Sequence, residues 1–209
     1  MSAGKPIPLA EASAVAGELV AALAPGCERI AIAGSIRRQK PQVHDIELVA
    51  MPRVRAVSDG SLWGTTVDVD LLEETLGRML RAGGIARRAV TLHRADGSSE
   101  ASHRMGPRYK ALVYGGLPVD LFVVRPPAEW GVVFALRTGP GDWNTRLVTD
   151  AHRYLRAVEG GARLRAGGRY IACPEEEDFF TAIGQPWVDP PDRRVDRVDL
   201  RKDLEAHAR

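Results

Sequence analysis

Three acidic residues stand where strand geometry would bring their carboxylates together: Asp45 and Glu47, two apart in one apolar stretch, and Asp120 in another. Side chains at i and i+2 of a strand leave the same face. Asp45 and Glu47 therefore share one face while Ile46 and Leu48 take the other, and Asp120 and Phe122 oppose Leu121 and Val123. If the two strands are neighbours, three carboxylates converge on one patch of sheet. Such a patch repels itself unless cations sit within it, and an all-oxygen donor set suits hard divalent ions, Mg2+ first, with Mn2+ as a substitute. Two such ions clamp the attacking and leaving oxygens of an in-line phosphoryl displacement. Just upstream come Gly34, Ser35, Arg37 and Arg38. Glycine lets a phosphate approach the backbone, serine adds a hydroxyl, and arginine adds charge and a fork of donors. Residues 34–47 thus read as a triphosphate cradle followed by metal ligands. Each part alone has an ordinary alternative: acids at i and i+2 mark many solvent faces, a Gly-Ser pair is commonplace, and Asp120 could be a surface charge. The specific signal is their order, spacing and strand context together.

The elements that must carry these residues follow from periodicity. A helix is predicted over 9–24, with Val15, Leu19, Val20 and Leu23 on one face and Pro25-Gly26 as its stop. Strands are predicted over 29–33, 45–50, 85–90, 109–114 and 117–124, the last two joined by Gly115-Gly116 as a hairpin. A short helical turn falls at 36–39, and a helix at 70–82 stops at Gly83-Gly84. Residues 53–66 and 91–107 read as loops, the second mobile. Beyond Pro126-Pro127 the character changes: helices over 130–136 and 143–158, the second capped by Asp142; a hairpin around Gly167-Gly168; a helix over 174–183 with acids at its start; and a last helix over 200–207. The expected class is α+β, a mixed sheet backed by helices and followed by a smaller unit, divided as 1–128 and 129–209.

Composition narrows the context. The chain has 209 residues, 44% hydrophobic and 27% charged, with a formal net charge of only +2. That supports one sizeable core or two small units with a shared interface, without a strongly basic coat. Positive charge is carried mostly by arginine, which recurs in clusters such as Arg87-Arg88 and Arg193-Arg194. Cys27 and Cys173 form no disulfide framework and no zinc spacing, so both read as buried, idle thiols. No uninterrupted apolar run approaches the ~20 residues of a membrane span, and residues 1–8 do not read as a signal peptide. The expectation is a cytoplasmic, monomeric protein with no membrane partner. His93 and His103 flank a loop with nothing to fix a ligand geometry, and the four tryptophans suit core packing more than base stacking.

Three blocks in order resemble the family X (polymerase-beta-like) DNA polymerases of the nucleotidyltransferase superfamily. Residues 34–52 (GSIRRQKPQVHDIELVAMP) resemble that family's nucleotidyltransferase signature. Residues 117–152 resemble its third-acid strand and the start of its thumb, and residues 174–194 its C-terminal segment. The likeness runs over 26–194 and is weakest over 53–107. It implies a palm over 1–128 and a thumb-like subdomain over 129–209. It implies Asp45, Glu47 and Asp120 as ligands of two Mg2+ ions, with Asp120 nearest the attacking 3′-hydroxyl. Gly34, Ser35 and Arg38 would hold the triphosphate, with the backbone at His44. Thr138 and Gly139 would form the turn beneath the sugar, and Asn144 would touch the incoming nucleotide.

The chain departs from the family pattern at several points. Glu47 stands where members use Asp, Leu136-Arg137 where many keep an aromatic pair, and Val148 where some keep an arginine. No counterpart to the lyase domain is seen, so no lyase activity and a weak grip on DNA are expected. The implied reaction is template-directed or weakly templated nucleotide addition to a DNA 3′-hydroxyl, with gap filling in repair as its use. The alternatives are transfer to an RNA, protein or small-molecule acceptor, and a degenerate module that binds DNA ends.

Overall fold

The computed structural model describes residues 5–61, 63–93, 99–125, 129–151, 155–158 and 161–194. The expected helix over 200–207 and the Pro126-Pro127 boundary lie outside them.

The chain enters through β1 (Ile7–Pro8) and helix α1 (Leu9–Leu23), whose buried face is Ala12, Ala16, Leu19 and Leu23. Their spacing of three and four residues is the helical repeat. With the following 3-10 turn, Leu9–Gly26 has the length and apolar composition of a membrane span. Glu11 and Glu18 interrupt it, and its buried face is spent on the core. Strand β2 (Cys27–Ile32) leads to the four-residue helix α2 (Gly34–Arg37), then β3 (Gln42–Val43), which pairs with β1, and β4 (Ile46–Pro52).

Residues 53–66 are not a loop. Strands β5 (Val54–Ser58) and β6 (Thr66–Asp70) form an antiparallel hairpin, closed by an Asp59 carboxylate that accepts from the Ser61 amide at 2.8 Å. Val54, Val67 and Trp63 are exposed on it, so its apolar residues do not alternate toward a core and the usual strand signal is missing. Asp70 then caps α3 (Leu71–Arg81), accepting from the amides of Leu72 and Glu73 at 3.0 Å.

The expected strand over 85–90 divides into β7 (Ala86–Arg87) and β8 (Ala89–His93). The predicted loop over 91–107 contains β9 (Ser99–His103), antiparallel to β8. Ser99, Glu100, Ser102 and His103 make β9 polar in sequence, so it lacks the apolar alternation that marks a strand. Strands β10 (Tyr109–Tyr114) and β11 (Leu117–Val123) form the predicted hairpin.

The main sheet has order β2-β4-β11-β10-β7. The β4–β11 pair is parallel and the other pairs are antiparallel, so the sheet is mixed, as expected. Alternation sorts its two faces. Ile46, Leu48, Ala50, Val119, Leu121 and Val123 join α1 and α3 in one apolar cluster. Val49 and Phe122 turn to the other face, where Trp130, Val133 and Phe134 of α4 (Trp130–Thr138) pack.

The C-terminal elements gather around a second apolar cluster. The helix α5 (Gly141–Asp150) is shorter than predicted, and Leu155–Val158 is strand β12, paired with β13 (Gly161–Ala166) and through it β14 (Arg169–Ile171). Sheet pairing overrides the helical spacing there. Pro140, not Asp142, is the N-cap; Asp142 sits in the first turn and accepts from the Trp143 amide at 2.8 Å. Trp143, Leu147, Leu164, Cys173, Phe179 and Phe180, the last two from α6 (Glu176–Ala182), are buried in that cluster. Both cysteines are free and buried, and burial pushes their thiols up to about 11. Trp130 and Trp143 are buried, but Trp63 and Trp187 are exposed, so core packing holds for two of the four.

Gly131 marks how tightly α4 enters this arrangement. A Cβ there would lie 2.0 Å from the Glu175 carbonyl oxygen and 2.9 Å from that of Cys173. Both contacts are backbone and cannot swing aside. Gly131→Ala is therefore expected to cost ~1–3 kcal/mol of stability through overpacking, measured as a lowered thermal midpoint; an unchanged midpoint would mean that the α4 entry has room to shift.

Candidate active site

The parallel register of β4 and β11 sets Glu47 opposite Asp120. Asp45 lies immediately before β4. The three carboxylates sense one another. Burial, then the Asp45 and Asp120 charges, push Glu47 up to about 7. Burial and the Asp120 charge also raise Asp45. Glu47 and Asp120 are thus side by side on the sheet, and Asp45 lies next to the start of the Glu47 strand.

The loop above it is built to match. Gly34 has φ +62°, the left-handed region, and a Cβ there would fall 2.0 Å from Glu47 Oε2. Glycine is needed both for the backbone and for the carboxylate. Ser35 is half-buried, and its carbonyl accepts from the Lys40 amide at 3.1 Å. Arg38 donates through Nη1 to the Thr138 carbonyl, and its buried Nε has no hydrogen-bond partner among the described residues. Burial lowers the Arg38 pKa, against the Glu47 and Asp45 charges that raise it. His44 is exposed beside Asp45 and adds positive field to it.

Thr138, Gly139 and Asn144 form a second group. The Thr138 hydroxyl accepts from Arg37 Nη1 at 2.8 Å, and its carbonyl takes Arg38. Asn144 Nδ2 donates to the carbonyls of Leu136 at 2.6 Å and Gly139 at 2.9 Å, stapling the turn between α4 and α5. A Cβ at Gly139 would meet Asn144 Oδ1 at 2.3 Å. Arg37 also grips Glu176 with two bonds, at 2.8 and 2.9 Å, while Arg193 binds the same carboxylate at 2.7 Å. Burial works to raise Glu176, but the Arg193 and Arg37 bonds prevail and hold it down at about 2.

Three residues that the sequence reading did not assign to the site also face the acids. Arg88 forms an ion pair with Asp120 Oδ1. The Tyr109 hydroxyl donates to the same oxygen at 2.6 Å, and burial and this bond push Tyr109 up to about 12. The Arg137 guanidinium lies 4.0 Å from the Phe122 ring centre; burial lowers its pKa against the Glu47 and Asp120 charges. Tyr109 had a usable signal, since the predicted hairpin places it on the Asp120 face two residues from Ala111, which opposes Asp120. Arg88 had none, because its position depends on the unrecognised β7–β8 junction.

The acids fit divalent cations in donor type and charge: they are all oxygen ligands and mutually repelling, and Gly34 sets no side chain against Glu47. Their present arrangement is not a closed coordination shell. Among the described residues no three His, Cys, Asp or Glu side chains are grouped as metal ligands, and His103 with its neighbours forms none either.

This mixed α+β architecture is a polymerase-beta-like fold. Among solved structures the chain is similar to polymerase beta of Leishmania infantum in a ternary P/T complex, at 16% identity, covering 92% of this chain and 78% of that one with a TM-score of 0.61. No protein-family profile and no curated protein matches the chain.

The raised Glu47 pKa predicts a pH dependence. A neutral Glu47 suits the folded state, so its contribution is full below the ordinary glutamate value of 4.5 and is lost as pH rises through about 7. Glu47→Gln should match the wild type in thermal midpoint near pH 5 and exceed it near pH 8, by up to ~3 kcal/mol. Equal midpoints at both pH values would contradict the burial of an interacting carboxylate at this position.

Proposed function

We propose that the chain is a metal-dependent nucleotidyltransferase that adds a nucleotide to a DNA 3′-hydroxyl, acting on gapped or broken DNA as a small repair-type polymerase. The observation that carries this reading is the register that sets Glu47 against Asp120, with Asp45 at the strand mouth and Arg38 reaching from the Gly34 loop. The neighbour in the polymerase-beta-like fold supports it. In this reading residues 1–128 are the palm and 129–209 the thumb.

Asp45, Glu47 and Asp120 would hold two Mg2+ ions, or Mn2+ in their place, which would supply positive charge to the phosphoryl oxygens as negative charge develops there. The chain's own groups do the rest. The Gly34-Ser35 backbone and hydroxyl and the Arg38 guanidinium bind the triphosphate, and the unsatisfied Arg38 Nε gains an acceptor. The backbone near His44 closes the cradle. The Thr138-Gly139 turn, stapled by Asn144, bounds the sugar. Asp120 takes the proton of the 3′-hydroxyl as that oxygen bonds to the α-phosphorus, the α–β anhydride bond breaks, and pyrophosphate leaves.

Primer extension on a one-nucleotide-gapped duplex tests the reading, with Mg2+ or Mn2+ and each dNTP and NTP supplied separately. The wild type should extend and release pyrophosphate, and Asp120→Asn should be slower by ~10³-fold, the scale of several kcal/mol of lost charge stabilisation. Extension by neither protein under any condition would sink the DNA-polymerase reading and turn attention to other acceptors.

A further inference from the structure

Asp120 is the carboxylate that the proposed chemistry most needs free, yet its Oδ1 is doubly engaged, by Arg88 Nη2 and by the Tyr109 hydroxyl. Arg88 holds this place at a cost. Its Nε is buried without a hydrogen-bond partner among the described residues, which is unfavourable for a charged fork. Its backbone is fixed, because the Arg88 amide donates to the Ala111 carbonyl at 2.9 Å, and Ala111 is the residue paired with Asp120 across the hairpin. The guanidinium is therefore aimed by the sheet itself across β10 at the acid on β11. Tyr109 is braced as well, with the Arg104 guanidinium 5.1 Å from its ring centre.

The charges around the site balance in the same way. Three carboxylates face three guanidiniums: Arg38 and Arg137, whose positive charges act on Glu47, and Arg88 on Asp120. A site balanced by fixed arginines repels its acids less, but it also resists an incoming cation, which must displace a partner already in hydrogen-bond contact.

Resting on the nucleotidyltransferase reading above, we propose that Arg88 is a positioning residue that serves as the resident counter-ion of Asp120: it holds the carboxylate in the metal-free chain, yields it to a divalent cation, and so sets the cation concentration at which the site loads. The ligand is the divalent ion, and the competition is for one oxygen. Arg88 comes from the β7–β8 junction, outside the three sequence blocks that carry the acids and the phosphate loop, so the loading threshold can be tuned without touching the ligands.

The test is a titration of the full chain with Mn2+ alone, free Mn2+ being read by its electron paramagnetic resonance signal. Arg88→Ala should bind Mn2+ ~5-fold or more tightly than the wild type, the lower end of coupling between competing partners. Arg88→Gln, closer in size, should do the same and guards against a folding defect, which thermal melts of both variants would reveal. Arg104→Ala removes an equal charge that does not touch Asp120 and should shift the affinity by less than ~2-fold, as exposed charges do. Unchanged or weaker binding in both Arg88 variants overturns the proposal while leaving the metal-site reading standing. So does an Arg104→Ala gain as large as theirs, because general charge repulsion then explains the effect. If neither wild type nor variants bind Mn2+ at all, the nucleotidyltransferase reading fails and the proposal falls with it.

Discussion

Parallel pairing of β4 with β11 is the constraint on which the rest of the site depends. It is the only parallel contact in the main sheet among the described strands, and it sets two acids side by side on a face that α4 covers further along. A parallel pair needs a crossover, and the chain uses the whole stretch from β5 to β10 to make it. Once Glu47 and Asp120 are opposed, their repulsion has to be offset. The fold offsets it with arginines from three places: the Gly34 loop, the β7–β8 junction and the end of α4. These residues are far apart in the chain and meet only because the acids do.

The same logic joins the main sheet to the C-terminal elements. Glu129 is fully buried and is held by Arg108 from the sheet side and Arg163 from β13. Glu176 is held by Arg37 and Arg193. Arg29 forms a bidentate pair with Glu175, at 2.6 and 2.8 Å, and lies 4.2 Å from the Trp130 ring centre. A buried carboxylate stripped of its partners is costly, whereas its paired state adds little net stability over an apolar equivalent. These contacts therefore fix orientation more than they add stability. Because Arg37 adjoins Arg38, the orientation of α6 reaches directly into the Gly34 loop.

Much of this was legible in the sequence. Alternation at the start of 45–50 and around Asp120 marks Glu47 and Asp120 for one face of the sheet, and the glycine and arginine spacing of 34–38 marks the loop. Helices α1 and α3 follow from apolar spacing and stop signals, and α6 from the acids at its start. What escaped did so for physical reasons. The β5–β6 hairpin exposes Val54 and Val67, and β9 is polar in sequence, so neither leaves the usual apolar alternation. Strand β12 carries helix-compatible residues and is a strand only because β13 lies beside it. Arg88 reads only as half of an arginine pair and Arg137 only as a departure from an aromatic, because an arginine does not announce a partner on another strand. At residue 137 the sequence marks a departure from an aromatic, but not that a cation replaces it.

Gly34 and Glu47 also limit how the site can change over time. The Glu47 carboxylate occupies the space that any side chain at position 34 would need. A shorter acid at 47 would vacate part of that space and withdraw from the loop, while a larger residue at 34 would evict the present carboxylate. The two positions are sterically epistatic: the effect of a change at one depends on the occupant of the other. A lineage could reach an aspartate at 47 in a single step, but side chains would become admissible at 34 only afterwards, and then only those tolerating a left-handed backbone. The order of substitutions is thus restricted by the space of one missing methyl group.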